Sequence, residues 1–168
     1  MWLKVYMRIT SKTSGPIDGE CTQEGREKLI MCYGVSHDVA LPRDPTSGLV
    51  AGAPVHHPLV VTTPIGAHTP RLIEVCAKAE VLDVDIRMYR INRMGEEEAY
   101  LVFKLADAMV ADNRIRFRET QLEEHRACEQ VDDVSFTYET LTCRHEPTRL
   151  EIAQAWSGGG RTAVQQVS

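Results

Sequence analysis

The sequence predicts a mainly β fold, of the closed-barrel or sandwich kind, with one flanking α-helix and a long extended loop. Alternating apolar and polar residues recur along most of the chain, and only one stretch has the spacing of an amphipathic helix. One long segment rich in proline and glycine has neither period. The chain has 168 residues, which suits one domain with its own hydrophobic core.

Composition excludes several classes of protein. The net charge is -5 and the sequence pI is about 5.7, without a Lys/Arg cluster, so we expect no nucleic-acid partner. No apolar run approaches the length of about 18 residues that a membrane helix needs, so we expect no membrane insertion. The N-terminal "MWLKVYMRIT" alternates and does not resemble a signal peptide. Five widely spaced cysteines predict reduced thiols and no disulfide framework.

The first two predicted strands are residues 3–9 and 29–38. Residues 3–9 alternate with their apolar side chains on one face, and residues 11–20 form a turn. In residues 29–36 one face carries large side chains, which we expect to pack in the core. The small side chains on the opposite face, Cys32, Gly34 and Ser36, are then predicted to face open space or a close neighbour.

A segment without a period spans residues 40–57 and holds three prolines and two glycines. Unstructured stretches of this length inside a compact domain are uncommon and often functional. Two interpretations remain: the segment is flexible, or another subunit orders it. A short strand is predicted directly after it.

The one predicted helix is "HTPRLIEVCAKAEVL", residues 68–82. Thr69 is placed to cap it and Pro70 suits its first position. The side chains that share its predicted core face are Leu72, Ile73, Cys76 and Ala79.

The rest of the chain returns to an alternating pattern. Residues 81–92 and 99–110 predict a hairpin, and Asp112-Asn113 predicts a turn before a strand whose arginines share one face. A polar loop is predicted for residues 120–130. The last strand, 131–146, directs Val134, Phe136 and Tyr138 into the core. We expect one domain over residues 1–156 and a flexible Gly-rich tail over 157–168.

A zinc-binding site is the most specific chemical function that the sequence offers. His125, Cys128, Cys143 and His145 have side chains of the types that bind zinc, but neither pair has the spacing of a known zinc motif. His56 and His57 predict a solvated or interface pair. No nucleophile, phosphate-loop or metalloprotease motif is found, so we expect no catalytic residue, no metal and no cofactor.

Five segments, taken in order, resemble a known family. They are "LKVYMRI" leading into "IDGE", "MCYGVSH", "VHHPLVVTTPIGAHTPRLIEVCAKAEVL", "VDDVSFTYETLTCRHE" and the Ala155-Trp156 pair. Together they resemble Hcp, the haemolysin-coregulated protein of type VI secretion systems, over about residues 2–156. The sequence departs from the family at Cys143, where an aromatic residue is usual, and it lacks a His-x-x-Glu segment between Glu20 and Leu29.

The resemblance implies a small antiparallel β-barrel with one flanking α-helix. It also implies a homohexamer whose rings stack into an inner tube, which carries small secreted effectors and works with sheath proteins and a VgrG-type spike protein. The subunit would be cytoplasmic before firing and secreted afterwards, and would catalyse no reaction. A phage-type tail-tube subunit is an alternative with the same fold.

The resemblance also assigns roles to residues. Cys32, Gly34 and Ser36 would line the lumen that holds effectors. The residues implied for ring contacts or stacking are Leu41, Pro42, Arg43, Asp44, Pro45, Leu49, His56 and His57.

Overall fold

A computed structural model describes residues 3–117, 130–156 and 163–166. Those residues form thirteen strands, one α-helix and a short 3-10 helix. In chain order they are β1 (Lys4–Ser11), β2 (Gly15–Ile17), β3 (Ile30–Cys32), β4 (Gly34–Ser36), β5 (Val39–Ala40), β6 (Val55–His56), β7 (Leu59–Pro64), α1 (His68–Ala77), β8 (Leu82–Ile91), β9 (Glu97–Arg116), β10 (Val131–Thr137), β11 (Thr140–His145), the 3-10 helix (Glu146–Thr148), β12 (Leu150–Ala155) and β13 (Ala163–Gln166).

The strand pairings run in a circuit, which confirms the mainly β fold of the barrel type. β1 pairs with β8, β8 with β9, β9 with β10, β10 with β7 and β7 with β4, all antiparallel. The covalent chain then joins β4 to β3 at Tyr33, and β3 pairs with β1. The Tyr33 N–H donates to the Thr62 carbonyl oxygen at 2.7 Å, so backbone bonding continues across the join.

Strand β9 has twenty residues and contacts three neighbours. Its first half pairs with β8 on one side and β11 on the other, while its second half pairs with β10. The predicted turn at Asp112-Asn113 is wrong, because these two residues pair with Ser135 and Val134 of β10 inside the strand. Asp107, with φ of 50°, marks the point where β9 changes partners.

The core lies inside the circuit, and the predicted alternation of β1, β8 and β10 is confirmed there. Met7, Ile9 and Ile86 are fully buried, as are Val134 and Phe136. These side chains pack against one another as one hydrophobic cluster, with α1 covering part of it. The hydrophobic effect at these positions is therefore what holds the sheet closed.

The predicted orientation of Cys32 is wrong. Its side chain is 6% exposed and packs in the core, whereas Met31 and Tyr33 are exposed. The prediction assumed one strand over 29–38, but the chain changes partners at Tyr33, and the alternation restarts there. After the break Val35 packs against the core, which leaves Gly34 and Ser36 on the outer side of β4.

Helix α1 is shorter than predicted and rotated. It ends at Ala77, and Ala67 precedes it without a side-chain cap. The Thr69 hydroxyl instead accepts a hydrogen bond from the Gly66 N–H at 3.2 Å, and Pro70 is the third helical residue. The buried face consists of His68, Thr69, Leu72 and Val75. Ile73, predicted to be in the core, is 47% exposed.

The chain does not end its sheet with residues 131–146. A break at Tyr138 and Glu139 divides that stretch into β10 and β11, and β12 and β13 extend the sheet beyond β11. Residues 163–166 therefore pair with β12, although a flexible tail was predicted over 157–168. The rest of that predicted tail, and most of the predicted loop 120–130, lie outside the described residues.

The core assignment predicts the effect of removing one aromatic side chain. Phe136→Ala should lower the free energy of unfolding by about 3–5 kcal/mol, because a fully buried ring leaves a cavity. Phe117→Ala is the matched control, since that ring is 75% exposed, and its effect should stay within about 0.5 kcal/mol. Urea unfolding of both variants under monomeric conditions measures the difference, and equal losses would contradict the assignment.

Candidate interaction surface: the extended arm and its root

Residues 38–57 form an arm that leaves the barrel after β4 and returns before β7. Strands β5 and β6 pair at its base, and Arg43 and Val50 form an isolated bridge farther out. The Ala51 N–H donates to the Pro42 carbonyl oxygen at 2.9 Å. The arm is thus a β-hairpin with its own backbone pairing, so its order comes from within the subunit.

The tip of the arm is a turn stabilised by one carboxylate. The Asp44 side chain accepts hydrogen bonds from the N–H groups of Thr46 at 2.7 Å and Ser47 at 2.9 Å. These donors lower the pKa of Asp44, because they stabilise its charged form. Gly48 has φ of +71°, a conformation that glycine adopts without strain.

Large apolar side chains are exposed along the arm. They are Val39, Leu41, Leu49, Val50 and Val55, and Leu49 at the tip is 70% exposed. Clustered apolar exposure on an ordered projection is typical of a protein–protein contact. Arg43, Asp44 and Pro45 lie among them and are also exposed.

At the root of the arm, where it joins the barrel, the side chains of two histidines contact the hydroxyl group of one tyrosine. His37 Nε2 lies 2.9 Å and His56 Nδ1 lies 3.1 Å from the hydroxyl oxygen of Tyr138. Trp156 packs edge-on against Tyr138 with their centroids 5.0 Å apart, and His37 also contacts Phe103. The three aromatic side chains that contact Tyr138, those of His37, His56 and Trp156, therefore fix where the arm leaves the barrel.

Burial sets the ionisation of this cluster. It raises the pKa of Tyr138 to about 12, so the phenol keeps its proton at neutral pH. Burial is also the main reason why the pKa of His37 is lowered, and the neighbouring His56 lowers it further. At neutral pH His37 is therefore uncharged, with one nitrogen that donates and one that accepts.

The two adjacent histidines of the arm have opposite environments. His56 is 8% exposed and bonds inward, which excludes it from the outer surface and corrects its assignment as a contact residue. The His57 side chain is exposed, and its Nε2 lies 3.8 Å from an Asp38 carboxylate oxygen. The divergence of the two side chains follows from the extended backbone.

The outer side of β4 is open. A Cβ atom added to Gly34 would meet nothing within 4 Å, and Ser36 is exposed. Met31 and Tyr33, each more than two-fifths exposed, lie beside them on the preceding segment. This surface has room for another molecule, in contrast to the buried position of Cys32.

The zinc hypothesis finds no support in the described part of the chain. Cys143 packs against the core, where burial raises the pKa of its thiol, and His145 Nδ1 lies 2.8 Å from the Thr148 hydroxyl oxygen. Residues 3–117 and 130–156 contain no group of three or more His, Cys, Asp or Glu side chains placed to hold a metal ion. His125 and Cys128 lie outside the described residues.

Sequence reasoning missed the root cluster. Tyr138 is 101 residues from His37 and 82 from His56, so nothing local connects them. It also missed Arg26, whose guanidinium lies 3.8 Å from the ring centroid of Tyr89 and bonds Glu97 at 2.6 Å. The one feature of the sequence that could have indicated this cluster is the presence of histidines at both ends of the arm, His37 at one end and His56 at the other. Among the described residues no helix is long and apolar enough to cross a bilayer.

Comparison with known proteins identifies the family. The family model for "Type VI secretion system effector, Hcp" matches residues 6–145. The "Major exported protein" of Pseudomonas aeruginosa is 32% identical over 161 residues, which cover 90% of this chain and 94% of that protein.

Solved structures give the same answer for the fold. A crystal structure of an Hcp protein superimposes with a TM-score of 0.85 at 24% identity, covering 94% of this chain and all of the other. The secreted protein Hcp3 of Pseudomonas aeruginosa superimposes with a TM-score of 0.75 at 28% identity, covering 92% of this chain and 99% of the other. A barrel with an extended arm and a family model that spans most of the residues lead to one conclusion: the chain belongs to the Hcp family of type VI secretion proteins.

Proposed function

We propose that this chain is the inner-tube subunit of a type VI secretion system, in which six copies form a ring and rings stack into a tube. Family membership supports the system, and the arm supports the assembly. A subunit that keeps an ordered hairpin with five exposed apolar side chains has a surface suited to a neighbouring copy. This exposed and ordered arm is the observation that carries the proposal.

The contact between copies joins two different surfaces. A closed ring of identical subunits is built from head-to-tail contacts, so the arm of one subunit meets another part of the next. Leu41, Leu49 and the bend at Pro42 and Pro45 supply the apolar part of the arm surface. His57, with its exposed imidazole, belongs to the polar rim.

The lumen of the ring would hold small secreted effectors. We assign Gly34 and Ser36 to its wall, because they lie on the outer side of β4 and leave open space above the backbone. Cys32 is not part of this wall. Small side chains on such a surface let a cargo approach the strand closely.

The remaining partners follow from the proposed tube. A VgrG-type spike protein would cap it, sheath proteins would surround it, and the subunit would be cytoplasmic before firing and secreted afterwards. The relative named as a major exported protein supports the secreted stage. We propose a structural and transport role without catalysis, and the secretion family favours this over a phage tail-tube subunit.

The proposed assembly predicts a particle of six subunits that depends on the arm. Native mass spectrometry and electron microscopy of the purified protein should show hexameric rings. Leu49→Asp should reduce the ring fraction at least about tenfold, because a buried unpaired carboxylate is costly at an apolar contact.

Met94→Asp provides the matched control for Leu49→Asp. Met94 is 85% exposed at the turn between β8 and β9, which is not part of the arm, so this variant should form rings like the wild type. Deletion of residues 43–52 should weaken rings more than it lowers the melting temperature of the subunit. A wild-type protein that stays monomeric at high concentration would refute the proposal.

The proposed lumen wall predicts a separation of cargo retention from assembly. Ser36→Phe should remove small proteins that co-purify with the ring and leave the ring mass unchanged, because the larger side chain fills open space. Thr13→Phe, at an exposed turn residue, should retain them. Loss of the subunit fold in Ser36→Phe would instead place this side chain inside the barrel.

A metal content below one ion per subunit is expected as well. Elemental analysis should find no stoichiometric zinc in the purified protein, and a chelator should leave its melting temperature unchanged. One zinc per subunit, lost together with stability in Cys143→Ser, would favour the metal-binding alternative.

A further inference from the structure

We propose that the Tyr138 hydroxyl, held between His37 and His56, is an acid-operated latch that closes the root of the arm at neutral pH and opens it in acid. All three side chains belong to one subunit, so opening of the latch does not depend on ring formation.

Two imidazoles and one phenol share a limited number of hydrogen atoms at the root of the arm. His37 Nε2 and His56 Nδ1 both lie within 3.1 Å of the same phenol oxygen. A phenol has one hydrogen to donate, and a neutral imidazole has one donating and one accepting nitrogen. With both histidines neutral, Tyr138 donates to one imidazole and accepts from the other, so both bonds are satisfied.

Protonation of His37 weakens this arrangement. An imidazolium only donates, so the Tyr138 hydrogen is left with the His56 ring as its one acceptor, and a positive charge enters a partly buried site lined by aromatic side chains. The charged and titratable groups that act on His37 are His56, which lowers its pKa, and Asp38, which raises it. An Asp38 carboxylate oxygen also lies 3.8 Å from His57 Nε2, so the negative charge of Asp38 acts on two histidines. Phe103, Tyr138 and Trp156 complete the surroundings without a negative charge at neutral pH.

The direction of the pH effect follows from the lowered pKa of His37. The closed root binds the proton more weakly than an open root, where histidine has its ordinary pKa of about 6.5. Closure is therefore fully stable above that value and weakens as the pH falls through it. The loss is complete below the lowered pKa of the closed state.

Opening of the latch would act directly on the base of the arm. His37 directly precedes the arm, and His56 is its next-to-last residue. The first and last residues of the arm are joined by a backbone hydrogen bond, in which the His57 N–H donates to the Asp38 carbonyl oxygen at 3.1 Å. Farther out, only short pairings such as the Arg43–Val50 bridge join the two sides. Release of both imidazoles thus frees the base of the hairpin while the barrel core, which contains neither, stays packed.

The chain allows a sharp test with isosteric amides. Gln at position 37 and Asn at position 56 place a side-chain amide where Nε2 and Nδ1 lie, so the double variant His37→Gln/His56→Asn keeps the bonds to Tyr138 without titrating. Hydrogen exchange of the arm amides is measured at about pH 7.5 and about pH 5, and protection factors are compared so that intrinsic exchange rates cancel.

In the wild type, protection at the His57 amide, which donates to the Asp38 carbonyl oxygen at the base of the arm, should fall several-fold between about pH 7.5 and about pH 5. The double amide variant should keep its protection. Tyr138→Phe should lose protection already at about pH 7.5, since the ring remains but the shared hydroxyl is gone. His57→Gln, which leaves the latch intact, should behave as the wild type.

Fluorescence gives a second readout in a Trp2→Phe background, where Trp156 is the one remaining tryptophan. Trp156 contacts Tyr138 and His56, so its emission should change with the same pH midpoint as the exchange. Sedimentation at both pH values shows whether assembly changes too. Wild-type protection that persists in acid would overturn the latch, and so would an acid-induced loss that the double amide variant shares.

Discussion

The pairing of β9 with three other strands is the constraint on which the rest of the molecule depends. One continuous strand of twenty residues lets β8, β10 and β11 share a single backbone template. The circuit of the barrel and the outer sheet of β11, β12 and β13 meet on it. A break at Asp112-Asn113 would remove the pairing of the first part of β10 with β9, leave that part paired with β7 alone and weaken the wall of the core that Phe136 fills.

The arm depends on this barrel through one side chain. Tyr138 follows β10 directly, at the point where the chain crosses from the second half of β9 to the first half. Its ring is buried with the core, and its hydroxyl is left to bind the two imidazoles. Tyr138 lies where β10 ends and β11 begins, so the position of the arm is fixed by the same break in the chain that separates these two strands.

Polarity separates the parts of the molecule that pack from those that meet partners. The core cluster consists of hydrophobic side chains, and the buried Cys32 thiol behaves as one of them, because burial raises its pKa far above neutrality. The arm exposes apolar groups such as Leu49, while β4 exposes small ones. The proposed contact and the proposed lumen wall therefore lie on different elements and can be altered independently.

The sequence by itself determined the β class, the one helix, the burial of Met7, Ile86 and Phe136, and the resemblance to the family, because side-chain alternation and motif order are local properties. Only the tertiary structure decided which face of β3 is buried, where the helix ends, that β9 is continuous and that two histidines of the arm bind Tyr138. These features depend on which strand pairs with which. A partner change at Tyr33 reverses an alternation that the residues alone leave undisturbed, and no local signal reports it.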